Sequence, residues 1–281
     1  MRNLLLSVSS ALTLLACGPA DRPGGADDDG NVDASSMGPE VCDDGLDNDQ
    51  NGRADCSDIS CSGVGDCPVC GSVVNPESTP IFLPDGVSSG TMCSTDADCT
   101  DPGTPNCVAK ECHASYTSTL NFIGFPDGAT LTDPNLLLKV CVTMDHSWVR
   151  DLQIELIPPS GAVFILHKFV DRVGGEIYLG QPIDDDTAAV HGVGADYCWT
   201  ATGPLPEFLS APTTQWNGHA QLPAGDYKSI APWTALTGSP LNGTWTMRVT
   251  DLWGIDTGYL FQWSIAFDPT LVNDCAGPII L

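Results

Sequence analysis

Two runs of alternating residues within 241–267 constrain the fold of this chain more than any other feature. In the first run, Trp245, Met247 and Val249 alternate with polar residues. In the second run, every second residue is large and apolar: Tyr259, Phe261, Trp263, Ile265 and Phe267. Alternation at period two in aromatic and β-branched residues is typical of half-buried β-strands. We therefore predict two strands joined as a β-hairpin.

Short runs of this kind recur from Tyr116 to Pro269, and turn residues separate them. One such turn is Pro158-Pro159-Ser160-Gly161, and a further run ending at His167 follows it. Proline and glycine favour turns because they restrict or extend the backbone angles available. Many short period-two runs with frequent turns predict an all-β sandwich.

Several sequence blocks resemble those of one known domain family. The C-terminal blocks are Asn242-Gly243-Thr244-Trp245-Thr246, Val249, Asp251, Asp256-Thr257-Gly258 and Trp263-Ser264-Ile265. They resemble the end of the P domain (P/Homo B) of kexin- and furin-type proprotein convertases and subtilisin-like proteases. Earlier blocks at 125–128, 146–156, 158–161, 183–188 and 232–241 follow the order of that family. Arg150 is a departure, because the family has glycine at that position.

This resemblance implies a jelly-roll-like β-sandwich over residues 115–270, preceded by small disulfide-rich modules. In the family, proteolysis belongs to a separate catalytic domain. The five histidines of this chain have no recognisable partner motif, and neither a Gly-x-Ser-x-Gly elbow nor a His-Glu-x-x-His helix is present. We therefore expect a non-catalytic chain, with serine-type endopeptidase activity as an association of the family only.

The first 17 residues have the pattern of an export signal, with Arg2 before an apolar run. Leu14-Leu15-Ala16-Cys17 resembles the bacterial lipobox, in which the cysteine is lipidated. An ordinary signal peptide with a chance cysteine is the alternative. Residues 18–39 are acidic and rich in Gly, Pro and Ser, which predicts a disordered tether. We expect an exported protein anchored by lipid at Cys17, in the outer membrane or at the cell surface.

The chain has 13 cysteines, and an even number remains when Cys17 is set aside. In an exported chain such cysteines predict disulfides. Their spacing suggests three groups without fixing the connectivity: Cys42, Cys56, Cys61, Cys67 and Cys70; Cys93, Cys99, Cys107 and Cys112; and Cys141, Cys198 and Cys275. The first two groups define modules at 40–70 and 71–114, and residues 271–281 form a tail. A zinc site at Cys56, Cys61, Cys67 and Cys70 is the alternative.

Residues 40–61 combine cysteines with regularly spaced oxygen-bearing side chains. Counting Asp47 as position one, positions one, three, five, nine and twelve are Asp47, Asp49, Asn51, Asp55 and Asp58, with glycine at six. This is the ligand order of an EF-hand calcium loop, although an EF-hand has Glu at position twelve and flanking helices. The block also resembles a cysteine-rich metal-binding motif of bacterial surface proteins. It predicts structural calcium, and an ion-free acidic turn is the alternative.

A second acidic run offers another candidate cation site. It consists of Asp184, Asp185 and Asp186, with Asp151 as a further candidate ligand. P domains of bacterial enzymes can bind structural calcium, so the resemblance favours an ion there. The alternative is an acidic loop whose charges are solvated.

The formal net charge of -26 argues against nucleic-acid binding, which needs clustered Lys and Arg. We expect the sandwich to bind or stabilise a protein or glycan partner. One alternative is an accessory component of a subtilisin-like protease system. Another is a carbohydrate-binding module, whose platform would draw on Trp148, Trp199, Trp216, Trp233 and Trp253.

Overall fold

Two packed β-sheets form the body of the protein in a computed structural model that describes residues 38–62, 64–65, 67, 70–86, 90–170, 174–183 and 190–272. The strands are β1 (Ser72–Phe82), β2 (Asn106–Val108), β3 (Glu111–His113), β4 (Tyr116–Phe122), β5 (Leu137–His146), β6 (Leu152–Ile157), β7 (Phe164–His167), β8 (Ala195–Trp199), β9 (Thr214–Trp216), β10 (His219–Gln221), β11 (Gly225–Tyr227), β12 (Gly243–Asp251) and β13 (Gly258–Phe267). The helical segments of the described residues are 3₁₀ turns of three or four residues. The predicted all-β class is therefore confirmed.

The larger sheet has the strand order β1-β13-β5-β8-β11. Its pairs are antiparallel except for β8 and β11, which run parallel. The smaller sheet has the order β4-β12-β6-β7, and all its pairs are antiparallel. Two further hairpins, β2–β3 and β9–β10, stand beside these sheets.

The core lies between the inner faces of the two sheets. Trp245, Met247 and Val249 of β12 are fully buried, as their alternation predicts. The ring of Trp245 meets that of Phe267 from β13 edge to face, with 5.3 Å between the ring centroids. Burial of each such side chain contributes about 1.5–3 kcal/mol. The indole N–H of Trp245 donates to the carbonyl of Leu241, so its polar atom is also satisfied.

The predicted hairpin at 241–267 is wrong, although both of its strands are present. β12 pairs with β4 and β6, whereas β13 pairs with β1 and β5. The connection at 252–257 therefore crosses from one sheet to the other. Alternation shows which residues face the core, but two strands of opposite sheets present the same pattern as two paired strands.

The alternation of the second run, Tyr259 to Phe267, predicts that its five large apolar residues share one buried face, and this expectation needs correction. An irregularity in the β13–β5 pairing falls between Leu260 and Gln262. As a result Leu260 is fully buried, whereas Phe261 is partly exposed. A bulge of this kind shifts the side chains on either side by one position.

The sandwich begins earlier in the chain than the resemblance implies. β1 pairs with β13 from Ser72 to Phe82, which lies before the expected boundary at residue 115. All described residues belong to one compact unit. The region 71–114 therefore contributes both a strand of the larger sheet and a disulfide-linked hairpin. Within the described part of the chain, no helix has the length and apolar character needed to cross a membrane.

Candidate functional site

The acidic loop after Gly38 brings three carboxylates together. Oxygen atoms of Glu40, Asp47 and Asp49 lie within 4.8 Å of one another. Calcium ligands sit about 2.3–2.6 Å from the ion, which allows ligand oxygens to be up to roughly 5 Å apart. One cation could therefore contact all three carboxylates.

Backbone N–H groups orient this cluster. Glu40 accepts hydrogen bonds from the N–H groups of Asn48 at 2.8 Å and Asp55 at 2.9 Å. Asp47 accepts from the N–H of Gly52 at 2.8 Å. Gly52 has a φ of 95°, a backbone conformation that glycine adopts without strain. The loop thus curls around the carboxylates of Glu40 and Asp47.

The remaining predicted ligands of this loop make other contacts. The amide nitrogen of Asn51 donates to Asp49 at 3.0 Å and to Asp58 at 2.5 Å. Hydrogen bonds from Ser60 and then Asn51 lower the pKa of the buried Asp58. Asp55 instead accepts from the N–H of Gly45. In this geometry Glu40, rather than Asp55 or Asp58, stands beside Asp47 and Asp49.

Disulfides surround the loop in place of helices. Cys42 pairs with Cys61, and Cys56 pairs with Cys67. Cys70 is also disulfide-bonded. A four-sulfur zinc site would need thiolates at Cys56, Cys61 and Cys67, so the zinc alternative is wrong for this structure. The later pairs are Cys93–Cys107, Cys99–Cys112 and Cys141–Cys198.

A second cluster lies where β5 and β12 end. His146 ends β5 and is fully buried, and its Nε2 is 3.2 Å from the Oδ2 of Asp251, which ends β12. The N–H of Trp148 donates to Nδ1 at 2.9 Å. When neutral, the ring therefore carries its proton on Nε2 and donates to Asp251. The other carboxylate oxygen of Asp251 accepts from the N–H of Trp253.

Two more carboxyl groups perturb this buried pair. Burial, together with the negative charge of Asp251, raises the pKa of Asp151 to about 7, and Asp151 hydrogen-bonds with Asp256. Burial raises the pKa of Asp251, against the hydrogen bond from His146. Burial alone would lower the pKa of His146, but the hydrogen bond and charge of Asp251 outweigh it and raise that pKa. Carboxyl groups that share a buried site cannot all ionise freely, so their pKa values are raised.

The second cluster has a serine, a histidine and an aspartate, yet it is not arranged as a catalytic triad. The hydroxyl oxygen of Ser147 lies 3.4 Å from both the Asp256 carboxylate and the carbonyl of Thr257, and either can accept its single proton. The two ring nitrogens of His146 contact Trp148 and Asp251, so neither is directed at that hydroxyl. A nucleophilic serine needs a histidine base within hydrogen-bond reach. Full burial also keeps substrate away from the ring.

Several predicted residues fall elsewhere. Asp184, Asp185, Asp186, Cys17 and Cys275 lie outside the described residues. The tryptophans of the suggested sugar platform differ in burial, because Trp199 and Trp233 are buried and the other three are partly exposed. Trp199 stacks on Phe208, and Trp233 packs against Phe164, in both cases within the core. Neither can contribute to an exposed platform.

Glu40 of the first cluster and His146, Asp251 and Asp256 of the second were not predicted as site residues. Glu40 lies before the first position of the loop, and no spacing rule indicates it. Asp251 belonged to a block of the family resemblance, whereas its partner His146 came from another block. Their pairing depends on β5 and β12 ending at the same edge of the sandwich, which only the three-dimensional structure reveals.

The described residues thus define an all-β sandwich with a disulfide-bound acidic loop and a buried histidine–aspartate cluster. No protein-family model and no curated protein matches this chain. Among solved structures, a serine protease of Aeromonas sobria in complex with its chaperone is 17% identical over 71% of this chain, with a TM-score of 0.27. The same protease alone is 16% identical over 74%, with a TM-score of 0.26. This chain spans 27% and 29% of those protease chains, and similarity at this level is weak.

Proposed function

We propose that this chain is a non-catalytic cell-surface lipoprotein whose P-domain-like sandwich binds or stabilises a protein partner and whose acidic loop holds structural calcium. The observation that carries the non-catalytic role is the burial of the histidine–aspartate pair. His146 is 0% exposed and Asp251 is 1% exposed. A pair that no substrate can reach acts by holding the two sheets together.

The contacts between the family-like blocks support the P-domain-like assignment. His146 and Asp251 come from two different blocks and contact each other. Asn242, from the last block, accepts from the N–H of Phe125 and donates to its carbonyl. Phe125 begins the Phe125-Pro126-Asp127-Gly128 block. Residues that resemble the family thus connect strands to one another.

Calcium binding is tested by titrating calcium into the chelator-treated chain and following heat and thermal melting. Binding to the native state alone adds about 2.7 kcal/mol at 100 times Kd. For a protein of this size, that raises the melting temperature by roughly 5–10 °C. Asp49→Asn should abolish the rise, and Asp127→Asn, at an exposed aspartate in the turn before β5 and outside the acidic loop, should leave it unchanged. No heat and no shift would refute calcium in the acidic loop.

The membrane anchor is tested by labelling the chain with a radioactive fatty acid in a bacterial host. Cys17→Ala should abolish the label and release the protein from the membrane fraction. Label retained by this variant would refute lipidation at Cys17.

The non-catalytic role is tested with peptidase substrates. Activity in the wild type that is lost in His146→Ala would overturn it.

A further inference from the structure

An apolar groove of about 660 Å³ lies between the β2–β3 turn and strand β7. Ala109 and Lys110 contribute from the turn, and Ile165, Lys168, Phe169 and Val170 contribute from β7 and the segment after it. Val170 is 40% exposed, so apolar surface faces solvent here. A groove of this size falls within the range of known ligand sites.

Two lysines of the groove, Lys110 and Lys168, differ from the other lysines of the chain in their lack of a nearby carboxylate among the residues that the structure describes. Only 10 residues of the sequence are Lys or Arg, against 36 Asp and Glu. Elsewhere in the described residues the lysines are paired, Lys139 with Asp226 and Lys228 with Glu207. Lys110 and Lys168 have no carboxylate within 4.0 Å in the described part of the chain, although acidic residues are abundant.

The backbone keeps the first of these lysines in position. Ala109 and Lys110 have φ values of 51° and 74°, and they form the tight turn of the β2–β3 hairpin. The disulfides Cys93–Cys107 and Cys99–Cys112 hold that hairpin. A stapled turn presents its side chain with little loss of conformational entropy on binding.

We propose that this groove binds a short peptide segment of a partner protein, in which an apolar side chain is flanked by carboxylates. The apolar side chain would cover Ile165, Phe169 and Val170, and one carboxylate would pair with each lysine. Two cations favour a peptide over a fatty acid, since a single carboxylate can pair fully with only one lysine. The net charge of -26 disfavours an anionic membrane, whose dense charge would be repelled.

This inference gives a chemistry to the protein partner proposed above and rests on that part of the proposal alone. The test uses a fluorescent hexapeptide with Leu-Phe between two Asp-Glu pairs, titrated with the full chain at low salt and at physiological salt. Lys110→Glu and Lys168→Glu should each weaken binding by about fivefold or more, because reversal replaces attraction by repulsion. Lys228→Glu, at a lysine 64% exposed in its side chain, is the matched control and should bind as the wild type does.

A test variant and a matched control variant examine the apolar part of the groove. Val170→Ser should weaken binding by roughly threefold, and Val163→Ser, a similarly exposed valine outside the groove, should not. A peptide with Gly-Ser in place of Leu-Phe should bind more weakly than the parent. Melting curves of all variants should match the wild type, since each substituted side chain is exposed.

Three outcomes would overturn the proposal: no peptide binding at millimolar concentration, equal binding by all the lysine variants, or binding of dodecanoate with the lysine dependence expected for the peptide. Calcium titration of the same preparations separates the two proposals. Intact calcium binding with no peptide binding would overturn the groove and leave the acidic-loop site in place.

Discussion

Arg248→Met tests how the β2–β3 region is attached to the sandwich. Arg248 lies on β12 and is 3% exposed. Its Nε donates to Glu155 on β6 at 2.6 Å, and one terminal nitrogen donates to Asp96 at 3.0 Å. Glu155 is also buried and receives a further hydrogen bond from Gln153. The guanidinium thus compensates a buried carboxylate and contacts the disulfide-linked segment at the same time.

The magnitude follows from which carboxylate is left without its partner. Removing one member of a buried ion pair costs about 3–5 kcal/mol, because an uncompensated charge stays in the interior. For a protein of this size, such a loss lowers the melting temperature by roughly 6–20 °C. Asp96 is 54% exposed in its side chain, so loss of its ion pair should cost only about 0.2–1 kcal/mol. Asp96→Asn measures this loss, because the amide oxygen can still accept from the N–H of Cys107.

The assay is urea unfolding of the two single variants and of Arg248→Met combined with Glu155→Gln. The second substitution removes the buried charge, and its amide oxygen can still accept from Gln153. It should therefore recover most of the stability that Arg248→Met loses. Equal small losses in both single variants, or no recovery in the double variant, would refute the role of Arg248 as the partner of a buried charge.

Three further predictions concern the core and the buried cluster. In chelator, Asp151→Asn should stabilise the protein above pH 7. The native pKa of about 7 lies above the usual aspartate value of 3.8, so the folded state binds the proton more tightly and the free energy of unfolding falls as the pH rises from about 4 to 7. Urea unfolding across that range measures this, and an unchanged pH profile would contradict it. Replacing Cys141 and Cys198 together by Ala should cost about 4 kcal/mol, because their disulfide closes a loop with a sequence separation of 57 residues. An unchanged urea midpoint in non-reducing buffer would contradict this. Trp245→Ala should cost about 3–5 kcal/mol by calorimetry, and a loss under 1 kcal/mol would show that the core relaxes around the cavity.

The sequence predicted the inner face of β12 because burial on one side of a strand leaves a direct mark at period two. It could not predict the partners of that strand, since β12 and β13 carry the same apolar alternation yet belong to different sheets. The irregularity at Leu260 was equally inaccessible, because it arises from pairing with β5. Local pattern therefore determined the strands, and tertiary pairing determined the topology.

In the candidate site, too, some residues follow from local sequence spacing and others only from tertiary contacts. Asp47, Asp49 and Gly52 follow a local rule of ligand spacing, and the structure places them in one curled loop. Glu40 joins them through contacts with the N–H groups of later residues, which no periodicity encodes. Placement of the carboxylates beside His146 depends on the ends of two strands in different sheets.

The contacts of β12 indicate which substitutions should change the stability of the sandwich. Just before β12, the side chain of Asn242 hydrogen-bonds to the backbone N–H and carbonyl of Phe125. At the end of β12, Asp251 contacts the ring of His146. Its inner face fills the core, and its outer face carries Arg248, which contacts Glu155 and Asp96. The buried positions of this strand from Met247 to Asp251 thus hold the sandwich together, so substitutions there are expected to change stability. In the groove at the β2–β3 turn and the end of β7, by contrast, the side chains of Lys110, Lys168 and Val170 are exposed. We therefore expect substitutions of these three side chains to leave the free energy of unfolding nearly unchanged, whatever they do to the proposed peptide binding.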